Sequence, residues 1–117
     1  MKYALLIYSD PRSHTDLPQE EQDRSMAAYM ALAGDPRCLD SGQLQPVETA
    51  TTVRVADGQT LTTDGPFADT KEVFGGYYIV EAENLDEAIG MASGLPAARP
   101  GGGVEVRPLV ERYATVE

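Results

Sequence analysis

Three side chains could carry acid–base chemistry in this chain: Asp64, His14 and Tyr8. Asp64 is the first candidate, because Gly65 and Pro66 follow it and form a stiff turn that would hold its carboxylate at a strand end. The same carboxylate could instead cap that turn by accepting backbone N–H groups. His14, the single histidine, could titrate near neutral pH, although a histidine in a polar loop is usually only solvated. The residue types therefore indicate proton transfer as the candidate chemistry.

Four aromatic residues are the candidates for substrate binding: Tyr77, Tyr78, Phe67 and Tyr29. Tyrosine rings favour burial, but their hydroxyl groups need hydrogen-bond partners, so a strand tyrosine could present its hydroxyl to a cavity. Core packing is the favoured interpretation for each of the four. Phosphate-binding glycine loops, nucleotide-binding glycine fingerprints and metalloprotease motifs are absent from the sequence, which predicts no cofactor and no metal.

Charge and composition limit the partners. The 117 residues carry a formal charge of −10, which predicts repulsion of nucleic acid and of anionic membranes. No apolar run reaches membrane-spanning length. Cys38 is the single cysteine, so it cannot form an intrachain disulfide, and this fits a reducing compartment. We therefore expect one cytoplasmic domain over 1–117 that binds neither nucleic acid nor membranes.

Hydrophobic patterns and breakers predict the elements that position these residues. Asp16 and Gln19 have capping-box spacing, and Met26, Tyr29, Met30 and Ala33 form the expected apolar face of the first helix. Asn84 and Glu87 start a second helix, which Gly94 ends. In chain order we expect a strand at 3–8, a helix at 17–33, an irregular connection at 37–46, a hairpin of 49–56 and 59–63 joined by Asp57 and Gly58, a strand at 75–80, the second helix, and a strand at 103–109.

This order predicts an α+β fold, a ferredoxin-like antiparallel sheet with two helices on one face. The strands at 3–8 and 75–80 are apolar at consecutive positions, so both faces of the sheet must leave water. Two helices can cover only one face. The expected solution is a homodimer in which a second copy covers the other face.

The segment that begins Asp64-Gly65-Pro66-Phe67 and continues to the strand at 75–80 resembles the DGPF group of the YCII-related family. The resemblance extends to 85–88, 96–99 and 104–108, and upstream to the first strand. It implies a dimeric α+β barrel with pockets between sheet and helices. Relatives of the YCII type carry a proposed His–Asp pair in a cleft, whereas His14, the only histidine of this chain, precedes the first helix.

Two functions follow from the resemblance. The first is a cofactor-independent enzyme that binds a small organic molecule in the barrel and moves a proton with Asp64, assisted by His14 or by tyrosine hydroxyl groups. The alternative is a non-catalytic binding or regulatory module, associated with an extracytoplasmic-function sigma factor through the family's gene context.

Overall fold

The computed structural model describes residues 1–14 and 17–111, and the backbone only at His14. Six strands and two α-helices are joined by short 3-10 turns at 11–14, 47–49 and 96–98. Their bounds are β1 Lys2–Ser9, α1 Gln19–Ala33, β2 Cys38–Gln43, β3 Thr51–Ala56, β4 Gln59–Asp64, β5 Val73–Glu81, α2 Leu85–Ser93 and β6 Gly102–Pro108.

Four of the strands form one antiparallel sheet in the order β2-β5-β1-β6. Leaving the β3-β4 hairpin aside, this order places the second, third, first and fourth strands side by side, which is the ferredoxin-like arrangement. Both helices pack on one face of the sheet. The predicted α+β fold class is confirmed.

The core lies between this face and the helices. Tyr3, Leu5 and Ile7 alternate along β1 toward the helices, and their partners across the sheet include Val80 and Tyr78 of β5. Leu5 and Val80 are fully buried. The helical side of the core is formed by Leu32, Ala88, Met91, Ala92, Leu95 and Ala97. We call this side of the sheet the packed face.

Strand β2 corrects the expectation of an irregular connection at 37–46. Its residues pair with β5, with a bulge between Cys38 and Asp40. An edge strand with little burial has no apolar alternation to reveal it, and the sequence at 38–43 is mostly polar. Cys38 lies at the edge of the core, half-buried, as a free cysteine.

The packed face of α1 differs from the predicted one. The helix begins at Gln19 after Pro18, and Leu32 is its one buried residue. Met26 and Met30 are exposed, so their assignment to the core was wrong. Because α1 contacts the sheet mainly through β2, at its edge, most of its surface faces solvent. Asp16, the predicted cap, lies outside the described residues.

The capping prediction for α2 is confirmed. The side chain of Asn84 accepts a hydrogen bond of 2.9 Å from the backbone N–H of Glu87. Ala88, Met91 and Ala92 are the buried residues of this helix. Ile89 is about half exposed, with a relative accessibility of 47%.

The β3-β4 hairpin projects from the rest of the protein, and we call it the arm. Asp57 and Gly58 both have positive φ angles, 51° and 75°, which confirms the predicted two-residue turn. Neither strand of the arm makes an extensive contact with another helix or strand of the described chain. The radius of gyration is 16.4 Å, against about 13 Å for a compact domain of about 100 residues. The surface of the arm is therefore largely exposed to solvent.

Substitution of Gly102 by alanine should destabilise the protein. A Cβ atom there would lie 2.5 Å from the carbonyl oxygen of Tyr8 and 2.7 Å from that of Ala97, and both are backbone atoms. We expect Gly102→Ala to lower the free energy of unfolding by about 2 kcal/mol, measured by urea denaturation. Gly103→Ala is the matched control, since its Cβ would meet no atom within 4 Å. Equal stability of the two variants would contradict the packing described here.

Candidate functional site

The sheet face opposite the helices, which we call the open face, carries a shallow depression of about 370 Å³ near the end of β1. Tyr8 lies in it, together with two acidic residues, Glu72 and Glu105. Gly103 is the cross-strand partner of Tyr8 on β6, and the lack of a side chain there leaves room beside the tyrosine ring. The depression therefore combines a phenol, two carboxylates and free volume.

Local strand geometry positions Tyr8. The pairing of β1 with β5 shifts between Ile7 and Tyr8, so Tyr8 lies opposite Phe74. The two rings pack with their centroids 5.5 Å apart and their planes tilted by 43°. Glu105 is fixed by an ion pair of 2.7 Å with Arg107, two residues along β6. A bulge like the one between Ile7 and Tyr8 commonly changes the direction of a side chain at a binding site.

Tyr77 lies on the same open face as Tyr8. Its partner on β1 is Leu6, and its partner on the edge strand β2 is Gly42. A Cβ atom on Gly42 would lie 2.7 Å from the ring of Tyr77, so the ring covers the glycine. The half-buried residues Ala4, Leu6 and Ile79 complete an apolar surface that no helix of the described chain covers.

Tyr78 and Tyr29 lie on the packed side instead. The hydroxyl group of Tyr78 donates a 2.8 Å hydrogen bond to the backbone carbonyl of Tyr29. Burial raises the pKa of Tyr78 to about 12. Burial also raises the pKa of Tyr29, against opposing effects of the Ala97 backbone and the Arg99 charge. At neutral pH both residues are neutral phenols.

Asp64 and Phe67 lie at the base of the arm. Asp64 is the last residue of β4 and pairs with Thr51. Among the described residues its carboxylate accepts no hydrogen bond, so the turn there is held by the backbone: Gly65 N–H donates to the Ala50 carbonyl at 2.8 Å. Phe67 is 73% exposed, and the Arg54 guanidinium lies 4.8 Å from its ring centroid. The interpretation of Phe67 as a core residue was therefore wrong.

The structure thus distributes six of the seven predicted site residues over three places. Tyr8 and Tyr77 share the open face, Tyr29 and Tyr78 share the packed side, and Asp64 and Phe67 share the arm. His14 ends the 3-10 turn that follows β1, and its side chain lies outside the described part of the chain. Glu72 and Glu105 were not among the predicted site residues. The alternation of Val104 and Val106 with Glu105 was the signal, since it places Glu105 on the face opposite the core.

No helix within residues 1–14 and 17–111 is long and apolar enough to span a membrane.

Comparisons with known proteins identify a family, a relative and a structural neighbour. The family model of the YCII-related domain matches residues 1–112. An uncharacterised protein of Rhizobium meliloti (strain 1021) is 38% identical over 116 residues, which cover 93% of this chain and 92% of that protein. Among solved structures, the 5-chloro-2-hydroxyhydroquinone dehydrochlorinase of Burkholderia phenoliruptrix AC1100, in complex with 2,5-dihydroxybenzoquinone, covers 93% of both chains with a TM-score of 0.51 and 18% identity. At 18% identity, this similarity shows that the two proteins share a fold and nothing further.

Tyr78→Phe should destabilise the protein by about 1 kcal/mol, because it removes the hydrogen bond to the Tyr29 carbonyl. The folded-state pKa of Tyr78 is raised from 10.0 to about 12, so its contribution is complete below pH 10 and is lost as the pH rises toward 12. Urea unfolding of both proteins across this range should show their stabilities converging at high pH. Tyr77→Phe is the control and should change stability by less than about 0.5 kcal/mol. A Tyr78→Phe effect that stayed constant with pH would contradict the assignment.

Proposed function

Because the chain belongs to the YCII-related family, we propose that it is an enzyme that acts on a small organic molecule by acid–base chemistry at the open face of its sheet. The observation that carries the proposal is the position of Tyr8. Its ring lies in a depression shared with the carboxylates of Glu72 and Glu105. A phenol and a carboxylate on one side of a cavity can donate and accept a proton in a single turnover.

The size of the depression fits this class of ligand. Its volume, about 370 Å³, is near the lower end of the range of pockets that hold small organic molecules, about 300 to 1,000 Å³. Tyr77 and Phe74 supply aromatic surface on the same face. The dehydrochlorinase with the same fold was solved with 2,5-dihydroxybenzoquinone, a flat hydroxylated ring. This supports a small, flat, hydroxylated substrate for the present chain.

A homodimer completes the proposed site. The open face carries the half-buried apolar residues Ala4, Leu6 and Ile79, and a second copy would remove them from water. The arm has its own apolar side chains in solvent: Val53, Val55, Leu61 and Phe67, with relative accessibilities of 59%, 70%, 47% and 73%. We propose that the arm of each copy packs on the other copy.

In this dimer the arm would contribute residues to the site. Asp64 is exposed and belongs to the base of the arm, so its catalytic role depends on the partner placing it near Tyr8. Phe67 would then form a wall of the pocket, with Tyr77 on the sheet beneath. His14 follows β1 closely enough in sequence to be a further proton acceptor at the same end. Tyr29 and Tyr78 would stabilise the packed face of the sheet and would not touch the substrate.

Leu6→Lys tests the dimer, because it puts a charge in the middle of the open face. We expect the wild-type protein to sediment as a dimer at micromolar concentration. Leu6→Lys should raise the dissociation constant of this dimer at least tenfold. Met30→Lys is the matched control, since Met30 is 66% exposed on the outer side of α1. A wild-type monomer under these conditions would disprove the dimer.

Tyr8→Phe tests the site. With 2,5-dihydroxybenzoquinone as the probe, we expect saturable binding to the wild-type protein and at least fivefold weaker binding to Tyr8→Phe, because a hydrogen bond is lost. Tyr3→Phe is the control, since Tyr3 is buried on the packed face. Equal binding by all three proteins would place the ligand elsewhere and overturn the proposal.

Turnover of the probe distinguishes the two functions under the same conditions, and Asp64→Asn tests whether Asp64 is the base. An enzyme whose base is Asp64 should lose turnover of a bound hydroxylated aromatic, followed by NMR, while its thermal unfolding stays unchanged. A non-catalytic binding module should bind the probe and convert none of it, with or without the substitution.

A further inference from the structure

A second cavity lies on the packed side, separate from the depression at Tyr8. It forms where the end of β1, the 11–14 turn, the first half of α1 and the segment from Pro96 to Gly101 meet, and its volume is about 340 Å³. We call it the arginine cleft, because Arg24 and Arg99 both line it. The other lining residues used below are Leu17, Glu21, Ser25, Pro96, Ala97 and Pro100.

The charge of the cleft differs from that of the chain. The chain has 19 acidic and 9 basic residues, yet two arginines and one glutamate, Glu21, are the charged residues among the lining. Arg99 forms no ion pair within residues 1–14 and 17–111, and Arg24 has a single one, 4.0 Å from Glu20 on the exposed side of α1. An exposed pair at that distance contributes little. Within the described residues, Arg99 thus has no carboxylate partner and Arg24 has only this weak one.

The cleft also has an apolar wall. Leu17, Pro96, Ala97 and Pro100 line it beside the charged groups. An inorganic anion would leave that wall and most of the volume to water, whereas an organic anion can cover the wall with its carbon skeleton. Glu21 and Ser25, on the α1 side, offer an acceptor and a hydroxyl group for a polar substituent. The lining therefore matches a small organic acid.

Backbone hydrogen bonds hold the loop that carries Arg99. Its own N–H donates to the Pro96 carbonyl at 3.1 Å, and its carbonyl accepts from Gly102 N–H at 3.2 Å. The carbonyl of Gly101 accepts from Asp10 N–H at 3.0 Å, which ties the loop to the end of β1. Gly101 has a φ of 101°, a conformation that side-chain-bearing residues rarely adopt. The loop is thus fixed before a ligand arrives, which lowers the entropic cost of binding.

We propose that the arginine cleft binds a small organic carboxylate. The Arg99 guanidinium pairs with the carboxylate, as a planar fork suited to two parallel hydrogen bonds, and Arg24 adds a second positive charge. The carbon skeleton lies against Pro96, Ala97 and Leu17. Glu21 accepts a hydrogen bond from a hydroxyl group at the far end of the ligand. This site is independent of the one at Tyr8.

Titration calorimetry with 4-hydroxybenzoate tests the proposal at low ionic strength. We expect saturable binding, an Arg99→Gln affinity at least tenfold lower, and a smaller loss for Arg24→Gln, because both remove charge-assisted contacts. Arg54→Gln is the matched control, since it removes the same charge from the arm and should leave the affinity unchanged. Thermal unfolding of each variant verifies that the fold is intact.

Competition experiments determine the ligand class. Benzoate should bind more weakly than 4-hydroxybenzoate. Inorganic phosphate should displace 4-hydroxybenzoate only at much higher concentration. The proposal is overturned if 4-hydroxybenzoate does not bind at millimolar concentration, if Arg54→Gln loses as much affinity as Arg99→Gln, or if phosphate competes as strongly as the aromatic acid.

Discussion

The apolar character of β1 on both faces is the constraint on which the rest of the structure depends. This strand lies inside the sheet, between β5 and β6, so its backbone is paired on both edges. Its odd-numbered side chains, from Tyr3 to Ile7, are buried under the helices. Its even-numbered ones, from Ala4 to Tyr8, are left on the open face and only half-buried. The same six residues thus anchor the core and define the surface on which the proposed catalytic site lies.

Much of the fold could be predicted from local signals in the sequence. The apolar runs of β1 and β5 mark buried strands by their composition. The Asp57-Gly58 turn and the cap formed by Asn84 depend on contacts between near neighbours in the chain. Each was identified correctly. Strand β2 was missed because an edge strand is specified by its pairing partner. Gly42 tolerates the ring of Tyr77 above it, and a polar strand with a glycine has no pattern of its own.

The candidate site was less predictable for a related reason. The residue types that could do chemistry were found, but the sequence does not reveal which of them share a surface. Alternation along a strand separates Tyr77 from Tyr78, although they are adjacent in the chain, and places one on each side of the sheet. The arginine cleft combines residues from 17–25 with residues from 96–101. Only the tertiary structure brings these segments together.

The arm has a consequence for how the protein behaves in solution. It is a ribbon of two strands, and among the described residues each strand hydrogen-bonds only to the other along its length, so both outer edges of the ribbon are open. Open edges with valine and leucine beside them are templates for strand addition by any extended chain. The strongly negative charge of the chain opposes the addition of further copies at these edges. High salt would screen that repulsion, so higher ionic strength should favour aggregation through the open edges of the arm.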